Sequence, residues 1–138
     1  MKTRFTFLVL SGLFLSGLGQ SALAQSITVK VPFQFVISDR TFPAGQYSVS
    51  SLREKVIVQD ANRKTIAMMF SNAVMGRNAG NTGEVVFHCY ANQCFLSELW
   101  TPTSDVGRQL PQSKAEIEVA KSNSQTYFAL MGTPLEKK

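Results

Sequence analysis

Three side chains with reactive chemistry crowd into one short stretch: His88, the only histidine of the chain, and its two cysteines, Cys89 and Cys94. Adjacent residues of an extended strand point to opposite faces, so His88 and Cys89 are poorly placed to share a metal ion or pass a proton. A structural zinc site takes four ligands, and the chain has no further His or Cys to complete one. The cysteines bracket Tyr90, Ala91, Asn92 and Gln93. With Ala91 and Asn92 as a two-residue turn, Tyr90 and Gln93 close a hairpin and the cysteines face each other at the next, non-hydrogen-bonded pair. Their Cα atoms then lie roughly 4.5 Å apart, at the short end of what a disulfide spans. A Cys89 to Cys94 bridge is therefore expected. Closing so small a loop contributes only about 2 kcal/mol, so the bridge pins register more than it holds a domain together. On that register His88 is the cross-strand neighbour of Phe95.

Other catalytic patterns find little support. A Ser-His-Asp hydrolase would have to recruit His88, and no G-x-S-x-G turn is present. Glycoside hydrolysis needs two carboxylates in one cleft, whereas Glu84, Glu98 and Asp105 are scattered. The cysteine register places Glu98 opposite Val85, on the face of Phe87 and Leu96. That makes Glu98 either a charge at the edge of a sheet or a buried acid, and the rarity of unpaired buried carboxylates favours the edge. The glycines between Asn72 and Gly83 match neither G-x-G-x-x-G nor the P-loop. No catalytic residue, metal or cofactor is assigned. Trp100, Tyr90 and Phe95 are the aromatics able to line a ligand mouth, although such side chains more often pack a core.

Compartment and charge are read from the start of the chain. Lys2 and Arg4 precede an apolar run from Phe5 to Leu18, and Ala22, Leu23 and Ala24 stand just before Gln25. Charged, apolar, small-x-small is the order of a cleavable signal peptide, expected here over residues 1–24. The run is broken by Gly12 and Gly17 and falls short of the ~20 residues of a membrane anchor. Export places the rest, 25–138, in a compartment that permits disulfides, periplasmic or secreted. Loss of Lys2 and Arg4 lowers fourteen basic residues to twelve against nine acidic, and the net charge from +5 to +3. The remaining cations are dispersed with no run of four, unlike a nucleic-acid surface, which needs clustered charge. No second segment is long enough to span a bilayer, so an integral membrane protein is not expected after cleavage.

The elements that must position these residues are mostly strands. Ile27, Val29, Val31, Phe33, Phe35 and Ile37 alternate with more polar neighbours, the period of a strand with one buried row, and Pro32 marks an edge or a kink. Gln46 to Leu52, Lys55 to Gln59 and Thr65 to Phe70 follow as a meander joined by short turns. Asn72 to Gly83 reads as the longest loop, with a helical turn at Ala73 to Met75. Glu84 to Tyr90 and Cys94 to Trp100 form a second hairpin, and a polar loop runs from Thr101 to Gln112. Ser113 and Glu116 have capping-box spacing, predicting a helix through Lys121 whose thin apolar side is Ile117 with Ala120. Thr126 to Met131 is a last strand and Pro134 to Lys138 a frayed tail. The fold class is mainly β: one domain over 25–138, an antiparallel sandwich or small, partly open barrel of about six or seven strands with one C-terminal helix.

Two segments carry a family resemblance: Val31 to Val49 (VPFQFVISDRTFPAGQYSV), and Val86 to Trp100 (VFHCYANQCFLSELW) followed by Gly107 to Ser113 (GRQLPQS). Together they resemble a family of short exported proteins of acidobacteria with the pattern V-P-F-x-F, P-A-G-x-Y, V-F-H-x-Y, F-L-x-x-x-W and G-R-x-L-P-x-S. The resemblance implies an exported β-domain and no particular activity. Members often carry Arg and Tyr where Cys89 and Cys94 stand, which makes the bridge a local feature and Arg108 and Trp100 the better positions to test, with Tyr90 a further binding candidate. The expected role is non-enzymatic binding or structure in the cell envelope, toward an envelope protein or a small apolar ligand. A lipocalin-like carrier and an enzyme built on Arg108, His88 and Glu98 are the competing readings.

Overall fold

A computed structural model of the chain describes residues 25–77 and 80–134. The leader expected over 1–24 and the tail beyond Pro134 lie outside the described residues. In chain order the elements are β1 (Gln25–Val31), β2 (Phe35–Ile37), β3 (Arg40–Phe42), β4 (Gly45–Leu52), β5 (Lys55–Gln59), β6 (Thr65–Phe70) and β7 (Asn72–Met75). After them come β8 (Glu84–Tyr90), β9 (Gln93–Trp100), β10 (Val106–Gln109), α1 (Lys114–Ala120), β11 (Gln125–Met131) and β12 (Thr133–Pro134).

Two sheets face each other as a sandwich with no closed barrel. One runs β12-β1-β4-β5-β6; the other runs β11-β8-β9-β10-β7, with β2 beside β9 and β3 beside β2. Ladders are antiparallel except for the short β2 to β9 pairing. Alternation places the core: Ile27 pairs with Val49 and Val29 with Tyr47, Val49 with Val58, and all five side chains point inward and are buried. From the second sheet Val85, Phe87, Leu96 and Leu99 meet them. Phe35 sits at the centre, its ring 5.0 Å from Tyr47 and 5.5 Å from Phe87, both edge-on, the arrangement that aromatic quadrupoles favour. Burying Tyr47 leaves no orphan, since its hydroxyl donates to the Pro43 carbonyl at 2.6 Å.

Several sequence expectations need correction. Ile27 to Ile37 is not one strand. The chain leaves the first sheet after Val31 and enters the second at Phe35, and Pro32, with no amide proton to give a ladder, stands at the crossing. The buried row nonetheless continues through Val31, Phe35 and Ile37, because both sheets turn the same face to one core. Ala73 to Met75 is strand, not helical turn, and the loop after Thr101 contains β10, which pairs with β7 from Val106 opposite Met75 to Gln109 opposite Asn72. Neither partner alternates in hydropathy; each is a strand because the other is there. With β3 and β12 these pieces raise the expected six or seven strands to twelve among the described residues.

Helix α1 starts where the capping spacing placed it. The Glu116 amide donates to Ser113 Oγ at 3.2 Å, satisfying one of the free N–H groups of the first turn. Its packing face differs from expectation: Ile117 is exposed and Glu116 is the helix residue that is buried.

Candidate functional site

Turn residues set the geometry of the hairpin β8 to β9. Ala91 adopts a left-handed φ of 52°, Tyr90 pairs with Gln93 and Cys89 with Cys94. The cysteines are bridged, their Cα atoms 4.0 Å apart, and His88 lies opposite Phe95. Beyond Phe87 and Leu96 the register shifts, because β9 has one residue more than β8. Such a bulge re-aims side chains. Glu98 consequently faces Val86, not Val85. Nor is it an edge charge, since β9 lies inside its sheet; Glu98 Oε2 accepts the Trp100 indole N–H at 2.8 Å.

The extra residue brings Ser97 to His88, and α1 brings Glu116 to the same imidazole from the other side. Ser97 Oγ is 3.0 Å from His88 Nε2, and His88 Nδ1 is 3.3 Å from Glu116 Oε1. The same Oε1 accepts the Tyr90 hydroxyl at 3.2 Å. With Glu116 as a carboxylate, which only accepts, Nδ1 carries a proton toward it; at Nε2 a neutral imidazole accepts from the Ser97 hydroxyl and a protonated one donates to it. All four residues are buried, Tyr90 at 1 % exposure and Glu116 at 4 %, while Tyr127 meets the imidazole edge-on at 4.9 Å. Burial raises the Tyr90 phenol above its ordinary range, and the charge and hydrogen bond of Glu116 push the same way.

Glu116 also forms part of the wall of an open groove of about 350 Å³. Met68, Met69 and Phe70 line it from β6, Phe95 and Leu96 from β9, and Leu110 and Pro111 from the segment after β10, with Ser113 at the helix start. The gap exists because β9 pairs on that side with β2 at Cys94 and Phe95 and with β10 only from Glu98 onward. Ser97 and His88 are not among its lining residues.

Of the aromatics read from the sequence as able to line a ligand mouth, Phe95 does line the groove; the binding candidates Tyr90, Trp100 and Arg108 are placed elsewhere. Tyr90 belongs to the Glu116 cluster. Trp100 is buried over Gly107, where any Cβ would lie 2.6 Å from the indole ring. Arg108 joins β10 to the link between β6 and β7: Nε donates to Ser71 Oγ at 2.8 Å and Nη2 to the Ser71 carbonyl at 2.5 Å, while Ser71 in turn donates to the Glu54 carbonyl. Arg108, His88 and Glu98 thus bond to three separate sets of partners and do not converge. Met68, Met69, Leu110 and Glu116 were missed by sequence reasoning. The S-x-x-E spacing did single out Glu116, but as a helix cap.

Among the described residues no three His, Cys, Asp or Glu side chains gather as a metal site, and no helix is long and apolar enough to cross a membrane. The chain matches no protein-family model, no curated protein and no solved structure.

Proposed function

We propose that this chain is an exported, non-catalytic binding module whose groove receives a small apolar ligand. The observation that carries the reading is the groove itself: about 350 Å³, within the ~300–1,000 Å³ of ligand sites, with walls largely of Met, Phe and Leu and one carboxyl group at Glu116. Flexible methionines suit a surface that adapts to its ligand. Ser97, His88 and Glu116 repeat the order of a nucleophilic triad, but a nucleophile has to touch its substrate, and here the acid borders the groove while the serine does not. Export is supported by the leader pattern and by the bridged cysteines, which suit an oxidising compartment. Unlike a lipocalin, the molecule would hold its ligand against the outside of a filled sandwich.

The test is titration of the full chain, recovered from cells that express it, with an uncharged apolar dye such as Nile red. Saturable binding is expected, and M68E, which places a charge on an exposed groove residue, should weaken it at least tenfold. Non-saturable binding, or equal binding by M68E, refutes the groove. An N-terminus other than Gln25 on protein recovered outside the cytoplasm refutes the leader assignment.

A further inference from the structure

A strand at the edge of a sheet offers a row of free N–H and C=O groups, and folded proteins guard such edges with charge, proline, bulges or shortness. Most edges here are guarded in one of these ways. Strand β12 has two residues, one of them proline, and β3 has three. Strand β7 has four and is followed by Gly76, whose φ is 107°. Arg40 reaches across to β6 and donates to the Ile66 carbonyl at 3.0 Å.

Strand β11 has no such guard. Its seven residues, QTYFALM, contain no charge, proline or glycine. It pairs with β8 in unbroken register from Gln125 opposite Tyr90 to Met131 opposite Glu84, and its other side has no strand partner among the described residues. Tyr127 is 65 % exposed, Phe128 46 % and Met131 72 %.

We infer that the free edge of β11 pairs antiparallel with β11 of a second copy of this chain, joining two seven-stranded sheets into one. A two-fold axis through Phe128 keeps the whole strand paired: Phe128 meets Phe128, Tyr127 meets Ala129, and Thr126 meets Leu130. Any charge near such an axis would meet itself, and β11 carries none. At about 200 Å² for a fully exposed side chain of this size, Tyr127, Phe128 and Met131 together offer roughly 400 Å² per copy. Doubled, this is about 800 Å² of side-chain surface at most before the strand backbone is counted, below the ~1,200–2,000 Å² of stable specific interfaces. The dimer is accordingly weak, and its population follows concentration.

Analytical ultracentrifugation of the full chain from roughly 10 µM to roughly 1 mM should show the mass rise from monomer toward dimer. A129K and T126K each put a lysine on the edge strand and should hold the protein monomeric with an unchanged far-ultraviolet spectrum; M75K, on the opposite edge of the same sheet, should leave the dimer intact. Hydrogen exchange of the unaltered protein supplies a readout independent of folding in the variants: amides of Thr126 to Leu130 should gain protection as concentration rises. A monomer at every concentration overturns the inference. So does a dimer that survives both lysines, or protection that does not change with concentration; pairing with a strand of another protein would then be the use left for this edge.

Discussion

Gly107 is the position where one added methyl group has the most to say about how this sandwich is packed. Its backbone does not adopt positive φ, so alanine brings no conformational penalty, and any effect must come from the space its Cβ would occupy. That space is taken: Cδ2, Cε2 and Cε3 of Trp100 lie 2.6–2.7 Å from an ideal Cβ, closer than carbon atoms approach without displacement. The indole cannot slide freely, since it is buried and its N–H is held by Glu98 at 2.8 Å. Strand β10 is itself held, by β7 along one side and β9 along the other. Overpacking of this kind costs about 1–3 kcal/mol, and a domain of roughly 100 residues loses about 4 °C in Tm or more per kcal/mol. Thermal unfolding followed by circular dichroism measures the loss, and the fluorescence of Trp100, the single tryptophan, reports where it is taken up. G107A should melt lower and, if the ring is pushed outward, emit at longer wavelength. In the W100F background the same substitution should be less costly, giving a favourable coupling in the double-mutant cycle. G107A with the parent Tm and emission, or no coupling to W100F, would refute the reasoning.

The Glu116 cluster and the tyrosines supply two further expectations. E116A leaves His88 and Tyr90 buried without their acceptor, and at about 1–3 kcal/mol per unsatisfied group it should destabilise by roughly 2–6 kcal/mol in urea unfolding, while E116Q, which keeps an amide oxygen, should lose less; equal losses would mean that the hydrogen bonds are not what Glu116 contributes. Burial raises both Tyr47 and Tyr90, helped by the charge of Asp60 and of Glu116 respectively, so from the ordinary phenol value near 10 up to each raised value the folded state holds a proton that the unfolded state has released. Stability is full below that window and falls as pH climbs through it, and ultraviolet titration should find Tyr47 and Tyr90 ionising above the ordinary phenol range.

The parts of the fold that sequence patterns reveal are those fixed by neighbouring residues. The hairpin of Cys89 and Cys94, the meander through β4, β5 and β6, and the cap at Ser113 each depend on turn chemistry and alternation within a few residues. The parts that escape depend on distant partners. Asn72 to Met75 is exposed and next to glycines, so nothing local distinguishes it from a loop; β10 supplies the missing hydrogen bonds from more than thirty residues away. The bulge at Ser97 is hidden for the same reason, and missing it shifts Glu98 by one partner and conceals the contact of Ser97 with His88. Ile117 misleads because a one-turn apolar pattern is weak evidence for a buried face, and the helix instead turns inward the one residue that buried hydrogen-bond donors require.

That last exchange ties the fold to the proposed site. In a capping box the glutamate reaches back to the N-cap amide; here Glu116 accepts from His88 and Tyr90, and only the serine half of the box is formed. Both donors project from β8 on the face away from the inter-sheet core, so without an acceptor from α1 that face would bury two unsatisfied polar groups. The helix therefore packs by polar satisfaction more than by apolar area, which explains how a seven-residue helix with an exposed Ile117 docks in one place. The same placement completes one wall of the groove, where Glu116 stands beside Leu110 and Pro111, with Leu110 itself tied to β9 by its amide donating to the Ser97 carbonyl at 2.8 Å. Loss of the anchor in E116A should thus weaken apolar dye binding as well as stability, whereas R108A, which releases the clasp to Ser71 but does not touch α1, should lower stability and leave binding in the folded fraction unchanged.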